Sequence, residues 1–358
     1  MKVVLITNIP TPYRFPVYDR VSKANNFEFE VIYCSEIEFD RKWKLNKQSF
    51  NHNFEFLSSS NGKYHTNFNL FNKLNQKNPD VVITCGFNLT MLFAFLWALL
   101  NKKKHIPFTD GTIDSEKKLT LLHVALRKIV YRFSDTFIGA SKKSIELYKS
   151  YGIDNKFIFK SVLSVDNDLF KKSNTTKKYD LMFSGQLINR KNPLFFLEIF
   201  KKAKQRNLKL SGLIIGDGKL KNKILSDIKE NNLQIEYCGF IQQRFLPKYF
   251  NQSKVFIFPT LEDPWGLVAN EALASKVPVI ASSNAGCANE IVIDNNTGFV
   301  IDNFDLDNWL SKIEKILKSV KLYNTMSNNC LKTIKEYNFD NASKGIIDAV
   351  NASTEKGN

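Results

Sequence analysis

A chain of 358 residues exceeds one ordinary core and predicts two domains. Its 43% apolar and 13% aromatic content excludes a disordered protein, while five dispersed cysteines without a Cys-x-x-Cys pair exclude a disulfide framework and a structural zinc site and indicate a reducing compartment. The net charge of +16 divides equally between residues 1–170 and 171–358, which admits nucleic acid, anionic membrane or an anionic small substrate without choosing among them.

The chain opens directly into an apolar strand at Val3–Thr7, with no basic leader or cleavable apolar region, and is expected to be cytoplasmic. Further strands are predicted at Phe29–Tyr33, Val81–Cys85, Thr136–Ile138 and Phe157–Phe159. The apolar run Met91–Leu100 is about half the ~20 residues a membrane-spanning helix needs. It is followed by Lys102, Lys103 and Lys104, and Lys117–Arg132 sets apolar residues at helical spacing among cations. Both segments suit either an ordinary packed helix or shallow contact with an anionic membrane. A polar stretch without periodicity, Lys171–Lys178, marks the linker. The second half continues with strands at Asp180–Phe183, Leu210–Ile215, Ile235–Cys238, Val255–Phe258 and Pro278–Ala281. Strands alternating with helix-length segments predict an α/β protein of two doubly wound, Rossmann-like domains facing a cleft. Residues 1–170 would form the first and 171–335 the second, with a C-terminal helix over 336–358 crossing back to the first.

Ligands of such sheets bind beyond the carboxyl ends of the strands. After Asp180–Phe183, Gly185 permits a tight turn, and Arg190 and Lys191 precede Pro193, a residue suited to a helix start. This is either an anion site for a diphosphate or a solvated basic turn. After Val255–Phe258, a turn with Asp263, Trp265 and Gly266 leads into a helix carrying Glu271 in a small-residue, apolar setting. The two acids are eight residues apart and could share a helix side, each accepting sugar or ribose hydroxyls. The alternative is a helix-capping Asp263 and an ordinary surface Glu271.

In order and spacing, Gly185…Arg190-Lys191, Asp263-x7-Glu271 with Trp265-Gly266, and Pro278…Gly286…Glu290…Thr297-Gly298 resemble family 4 of the retaining glycosyltransferases, of GT-B fold. The segment Asn8–Pro16 looks like bacterial members that build O-antigen, capsule or lipopolysaccharide. The resemblance implies that Lys191 binds the donor diphosphate. Gln186 stands where the family has Arg, so Arg190 becomes the candidate second cation. Asp263 replaces the family's first Glu and would contact the transferred sugar, with Glu262 as a rival, while Glu271 would hold the ribose. Amides of Trp265, Gly266 and Leu267 would meet the sugar and phosphate, Gly216 would line the donor cleft, and Phe240 and Ile241 would pack the base. In the loop after the fourth strand, Asp110 stands where many members have a His near the reacting carbon, and it takes a positioning or acceptor-side role unless it is a plain Asp-Gly turn; His105 is expected to be structural.

The implied activity moves a hexose or N-acetylhexosamine from a UDP-sugar to a hydroxyl of a glycan or lipid-linked acceptor. It needs no essential metal or other cofactor, no nucleic acid and no obligate protein partner, and it is placed in the cytoplasm or peripherally on the inner membrane face. A front-face mechanism and domain closure about 166–178 and the chain after Tyr337 are expected with it. Three alternatives are a basic nucleic-acid-binding protein, for which no recognition motif is found, a Rossmann oxidoreductase, against which Asn8-Ile-Pro-Thr-Pro replaces a Gly-x-Gly-x-x-Gly turn, and a sugar-nucleotide epimerase of the same fold.

Overall fold

The computed structural model describes residues 1–38, 47–57, 66–117, 119–171 and 175–355. Residues 172–174 of the expected linker therefore lie outside the described residues. The chain forms two compact units, Met1–Leu163 with the C-terminal helix, and Ser164–Asn338.

The first unit contains β1 (Lys2–Thr7), α1 (Phe15–Val21), β2 (Glu28–Tyr33), β3 (Asn53–Phe56), α2 (Leu70–Lys77), β4 (Val81–Cys85) and α3 (Leu89–Leu100). It continues through β5 (Lys104–Thr109), α4 (Ile113–Glu116), α5 (Leu121–Arg132), β6 (Phe137–Gly139), α6 (Lys142–Ser150) and β7 (Ile158–Lys160). The second unit holds β8 (Tyr179–Ser184), α7 (Pro193–Gln205), β9 (Gly212–Ile215), α8 (Lys221–Glu230), β10 (Ile235–Tyr237), α9 (Leu246–Asn251) and β11 (Ser253–Phe258). It ends with α10 (Leu267–Ala274), β12 (Val279–Ser282), β13 (Gly298–Ile301), α11 (Leu306–Lys318) and α12 (Val320–Ile334); α13 (Phe339–Glu355) returns to the first unit.

Both sheets are parallel throughout, in the orders β3-β2-β1-β4-β5-β6-β7 and β10-β9-β8-β11-β12-β13. Strands covered on both faces require continuous apolar runs, which Val3–Ile6, Leu181–Phe183 and Val255–Phe258 supply. Helix α7 seals one face of the second sheet with Phe195, Phe196, Leu197, Ile199, Phe200 and Ala203. Each large side chain in that row contributes roughly 1.5–3 kcal/mol by leaving water. In the first unit, α3 packs Met91, Ala94, Trp97 and Ala98 against the sheet. Helix α5 differs: it buries only Val130 and Tyr131.

In each sheet the strand order reverses once, between β1 and β4 and between β8 and β11. At such switch points the outgoing loops diverge and leave a crevice beyond the carboxyl ends. The Asp166-Asn-Asp168 stretch has a structural use, because Asp166 Oδ1 accepts the Leu169 N–H at 3.1 Å while Asn167 Nδ2 donates to the carbonyls of Ile334 and Tyr337. His105 is likewise structural. It is buried between Thr84 and Ser134, 3.0 and 2.8 Å from their hydroxyls, and burial lowers its pKa to about 3.

Candidate functional site

At the switch point of the second sheet, three turns are stitched together through their backbones. The Gly185 N–H donates to Ile215 O at 3.0 Å, Leu187 N to Asp217 O at 2.9 Å, and Gly216 N to Gly239 O at 2.8 Å. The turns after β8, β9 and β10 therefore form one layer. Gly216 has φ +141°, and a Cβ there would lie 1.8 Å from the Gly185 carbonyl oxygen. Gly216→Ala should cost about 3 kcal/mol, read as a lower urea midpoint at unchanged slope.

The chain after β8 runs to a 3-10 turn over Asn189–Lys191, and Asn192 then takes a left-handed conformation that hands Pro193 to the first turn of α7. The two expected cations thus precede the helix and face the loop after β11. The Arg190 carbonyl accepts the Thr260 hydroxyl at 3.0 Å and the Leu261 N–H at 2.9 Å, and the Arg190 guanidinium donates to Glu262 O at 3.1 Å. Lys191 Nζ is hydrogen-bonded to Asp263 Oδ2, and their side chains are only 16% and 8% exposed. Burial pulls the Lys191 pKa below the usual lysine range against the attraction of Asp263. Gln186 sits half-buried in the turn, its carbonyl accepting the Ile188 N–H at 3.0 Å.

Asp263 does not cap the following helix, so that alternative is corrected. The residue preceding α10 is Gly266 at φ +96°, where a Cβ would strike the Phe258 ring at 2.3 Å, and the helix has no side-chain cap. Its first amides, from Leu267 onward, therefore face the loop without a capping acceptor. Asp263 is fixed instead by its Oδ1 accepting the Trp265 N–H at 3.2 Å and by its carbonyl accepting the Gly286 N–H at 2.8 Å. The Trp265 side chain is buried, with its indole N–H on Asn270 Oδ1 at 2.7 Å and its ring stacked on Tyr337. Glu290 Oε1 in turn accepts the Tyr337 hydroxyl at 3.1 Å.

Glu271 is not a surface residue either. It is 7% exposed, and its Oε1 accepts the Gln243 side-chain N–H at 3.0 Å. Burial raises its pKa to about 7, with the Gln243 bond acting in the opposite direction. Residues flanking Gln243, among them Phe240, Ile241, Gln242 and Arg244, line an open cavity of about 520 Å³. Phe240 is 44% exposed there and offers a flat apolar surface. The structure therefore gathers Arg190, Lys191, Asp263 and Trp265 in one hydrogen-bonded group. Glu271 joins the Phe240–Ile241 segment through Gln243, and no hydrogen-bonding partner is shared by the two acids among the contacts just described. Gln243 was not foreseen, since nothing marks it among its polar neighbours in Ile241-Gln-Gln-Arg244.

The first unit has its own feature at the switch between β1 and β4. A cavity of about 260 Å³ is lined by Asn8, Thr11 and Arg14 from the loop after β1, Cys85 from β4, and Phe108 and Asp110 from the end of β5. Asp110 is exposed. Arg14 was overlooked although it stands six residues after Asn8 in a loop already singled out.

Residues 164–333 match the family described as Glycosyl transferases group 1. The chain is 30% identical over 173 residues to a UDP-Gal:alpha-D-GlcNAc-diphosphoundecaprenol alpha-1,3-galactosyltransferase of Escherichia coli, an overlap of 47% of this chain and 44% of that one. It is 23% identical over 275 residues to a GalNAc-alpha-(1->4)-GalNAc-alpha-(1->3)-diNAcBac-PP-undecaprenol alpha-1,4-N-acetyl-D-galactosaminyltransferase of Campylobacter jejuni, covering 75% of this chain and 74% of the relative. Its fold is similar to that of Anabaena HepE, solved in complex with UDP, at a TM-score of 0.79 and 13% identity over 98% of this chain and 100% of that one. The chain is a GT-B-fold enzyme whose second unit belongs to glycosyl transferases group 1.

Proposed function

We propose that this glycosyltransferase moves a hexosyl or N-acetylhexosaminyl group, with retention of configuration, from a UDP-sugar to a hydroxyl of a glycan or lipid-linked oligosaccharide in bacterial cell-surface polysaccharide synthesis. The observation that carries this reading is the buried Lys191–Asp263 pair locked between the loops after β8 and β11, with the buried Glu271 hydrogen-bonded to Gln243 in the segment whose neighbours line an open aromatic cavity. The UDP-bound fold relative and the undecaprenol-linked substrates in the names of the sequence relatives support the donor and acceptor classes.

In this reading Phe240 and Ile241 take the base, Glu271 accepts the ribose hydroxyls, and the diphosphate draws Lys191 away from Asp263. Departure of the diphosphate builds negative charge on its oxygens, which Lys191, Arg190 and the amides of Gly266 and Leu267 are suited to stabilise. Asp263, released from the lysine, accepts hydroxyls of the transferred sugar. Asp110 is assigned the acceptor side. With no carboxylate nucleophile assigned in the first unit, the leaving phosphate takes the acceptor proton on the same face. Turnover is expected to persist in EDTA.

Among the described residues no helix is long and apolar enough to cross a membrane. Peripheral contact with an anionic membrane fits α5, where Leu121 and Leu122 are 88% and 68% exposed among cations.

The direct test is a thermal-shift panel of UDP- and GDP-sugars, followed by product analysis with a lipid-linked acceptor. UDP at a hundredfold its Kd should add about 2.7 kcal/mol, a midpoint rise of about 5 °C. Silence across all nucleotide sugars defeats the reading, and conversion of the sugar without an acceptor identifies an epimerase instead.

A further inference from the structure

The cavity at the switch point of the first sheet has a property that the donor chemistry does not use. The Arg14 guanidinium lies 4.6 Å above the Phe108 ring, and its Nη1 is buried without a hydrogen-bond partner. Thr11, 8% exposed on the same wall, also has a buried hydroxyl with no partner. Both residues belong to a short turn tied by the Arg14 and Phe15 N–H groups to Thr11 O at 3.0 and 3.1 Å. That turn holds the two donors on one wall of the crevice. Arg14 is partly buried, but a guanidinium N–H that has lost its water costs more unpaired than paired, so the buried Nη1 on the cavity wall suits an oxyanion acceptor. Arg14 forms no ion pair with the Asp110 carboxylate, although both line the cavity.

Charged groups of both signs, the Arg14 guanidinium and the carboxylates of Glu38 and Asp110, stand with the Asn8 amide around an aromatic floor at Phe108. Such a lining matches a hydroxyl-rich ring with one acidic substituent better than a bare ion, because carboxylate and amide accept and donate to hydroxyls while the guanidinium grips an oxyanion in a fork.

We propose that this cavity binds a sugar bearing an oxyanion, a hexuronate carboxylate or a sugar phosphate, and that Arg14 is the residue that selects the acidic group. The proposal rests on the glycosyltransferase reading only in taking that sugar to be part of the acceptor.

The test is protein-observed NMR titration of the full chain with glucuronate, glucose 1-phosphate, glucose and inorganic phosphate, with UDP titrated separately. Glucuronate or glucose 1-phosphate should bind at least tenfold more tightly than glucose, and which of the two binds identifies the oxyanion. Arg14→Gln should reduce that preference below twofold while leaving UDP binding unchanged, which also reports that the variant is folded. Arg14→Lys, keeping charge without the fork, should fall between. Equal binding of glucose, equally tight binding of inorganic phosphate alone, or a preference surviving in Arg14→Gln would each overturn the proposal. Loss of UDP binding by the unaltered chain would instead sink the donor reading and leave this one standing.

Discussion

Lys191→Ala should lower kcat about a thousandfold with a smaller change in KM, the loss expected when one preplaced donor to a developing anion is removed. The same substitution should destabilise the fold by about 3 kcal/mol, because it leaves Asp263 buried and without its cation. The two effects have different causes and separate in the double variant Lys191→Met/Asp263→Leu. Removing both charges from a buried pair is close to neutral for stability, so the double variant should unfold near the wild-type midpoint. Its turnover should stay at or below that of Lys191→Ala. Asp263→Ala alone should bind UDP nearly as well as wild type yet turn over slowly and discriminate poorly between donor sugars. Steady-state kinetics and urea unfolding on the four proteins decide the matter. Recovery of activity in the double variant would make the pair structural only.

The residues of this pair stood out in the sequence because each follows an apolar strand in a turn too unusual for a plain connection. Their pairing did not, since it spans 72 positions and depends on β8 and β11 lying side by side at the point where strand order reverses. Apolar runs carried most of the fold for the same reason, as parallel strands buried on both faces leave a continuous trace. The strands that left none are instructive. In β3, Asn-Phe-Glu-Phe lies at a sheet edge, where polar residues are tolerated, and β13 begins at Gly298, packed so closely on β12 that a Cβ would meet Val279 O at 1.8 Å. Strand β5 contains Pro107, which ordinarily argues against a central strand. The sheet accommodates it because β6 pairs only from Phe108 onward, and the Pro107 carbonyl takes the Tyr148 hydroxyl at 2.9 Å. Gln243 and Arg14 lay beyond sequence reasoning for a different reason: what sets each apart is its surroundings, a buried carboxylate in one case and a buried Nη1 without a hydrogen-bond partner in the other.

The environment of Glu271 leads to an effect that runs opposite to ordinary carboxylate behaviour. Its pKa in the free protein is about 7, raised by burial, whereas the unfolded chain ionises near 4.3. The folded state therefore holds the proton more tightly, and stability contributed by the neutral acid is lost as pH rises from about 4.5 to 7. The full loss is on the order of 3 kcal/mol above pH 7. Glu271→Gln, neutral at every pH, should be more stable than wild type at pH 8 by about 1–3 kcal/mol and should match it near pH 4.5. Nucleotide binding carries the opposite sign. Ribose hydroxyls donate to the carboxylate, so UDP binds the ionised form and must displace a proton below pH 7. Wild-type affinity should rise nearly tenfold per pH unit up to about 7 and then level. In Glu271→Gln the part of that slope due to this carboxylate should vanish, leaving only the rise that ionisation of the UDP terminal phosphate at about pH 6 gives both proteins. UDP should bind the variant at least about 30-fold more weakly at pH 8, the cost of losing charge-assisted hydrogen bonds of roughly 2 kcal/mol. Gln243→Leu removes the group that favours the ionised form, and should move the rise in affinity to higher pH without abolishing it. Calorimetric UDP titrations from pH 5.5 to 8.5, with urea unfolding of the free proteins over the same range, test both signs together. A Glu271→Gln variant that is less stable than wild type at pH 8, or whose UDP affinity keeps the full wild-type slope, would remove this carboxylate from the nucleotide site.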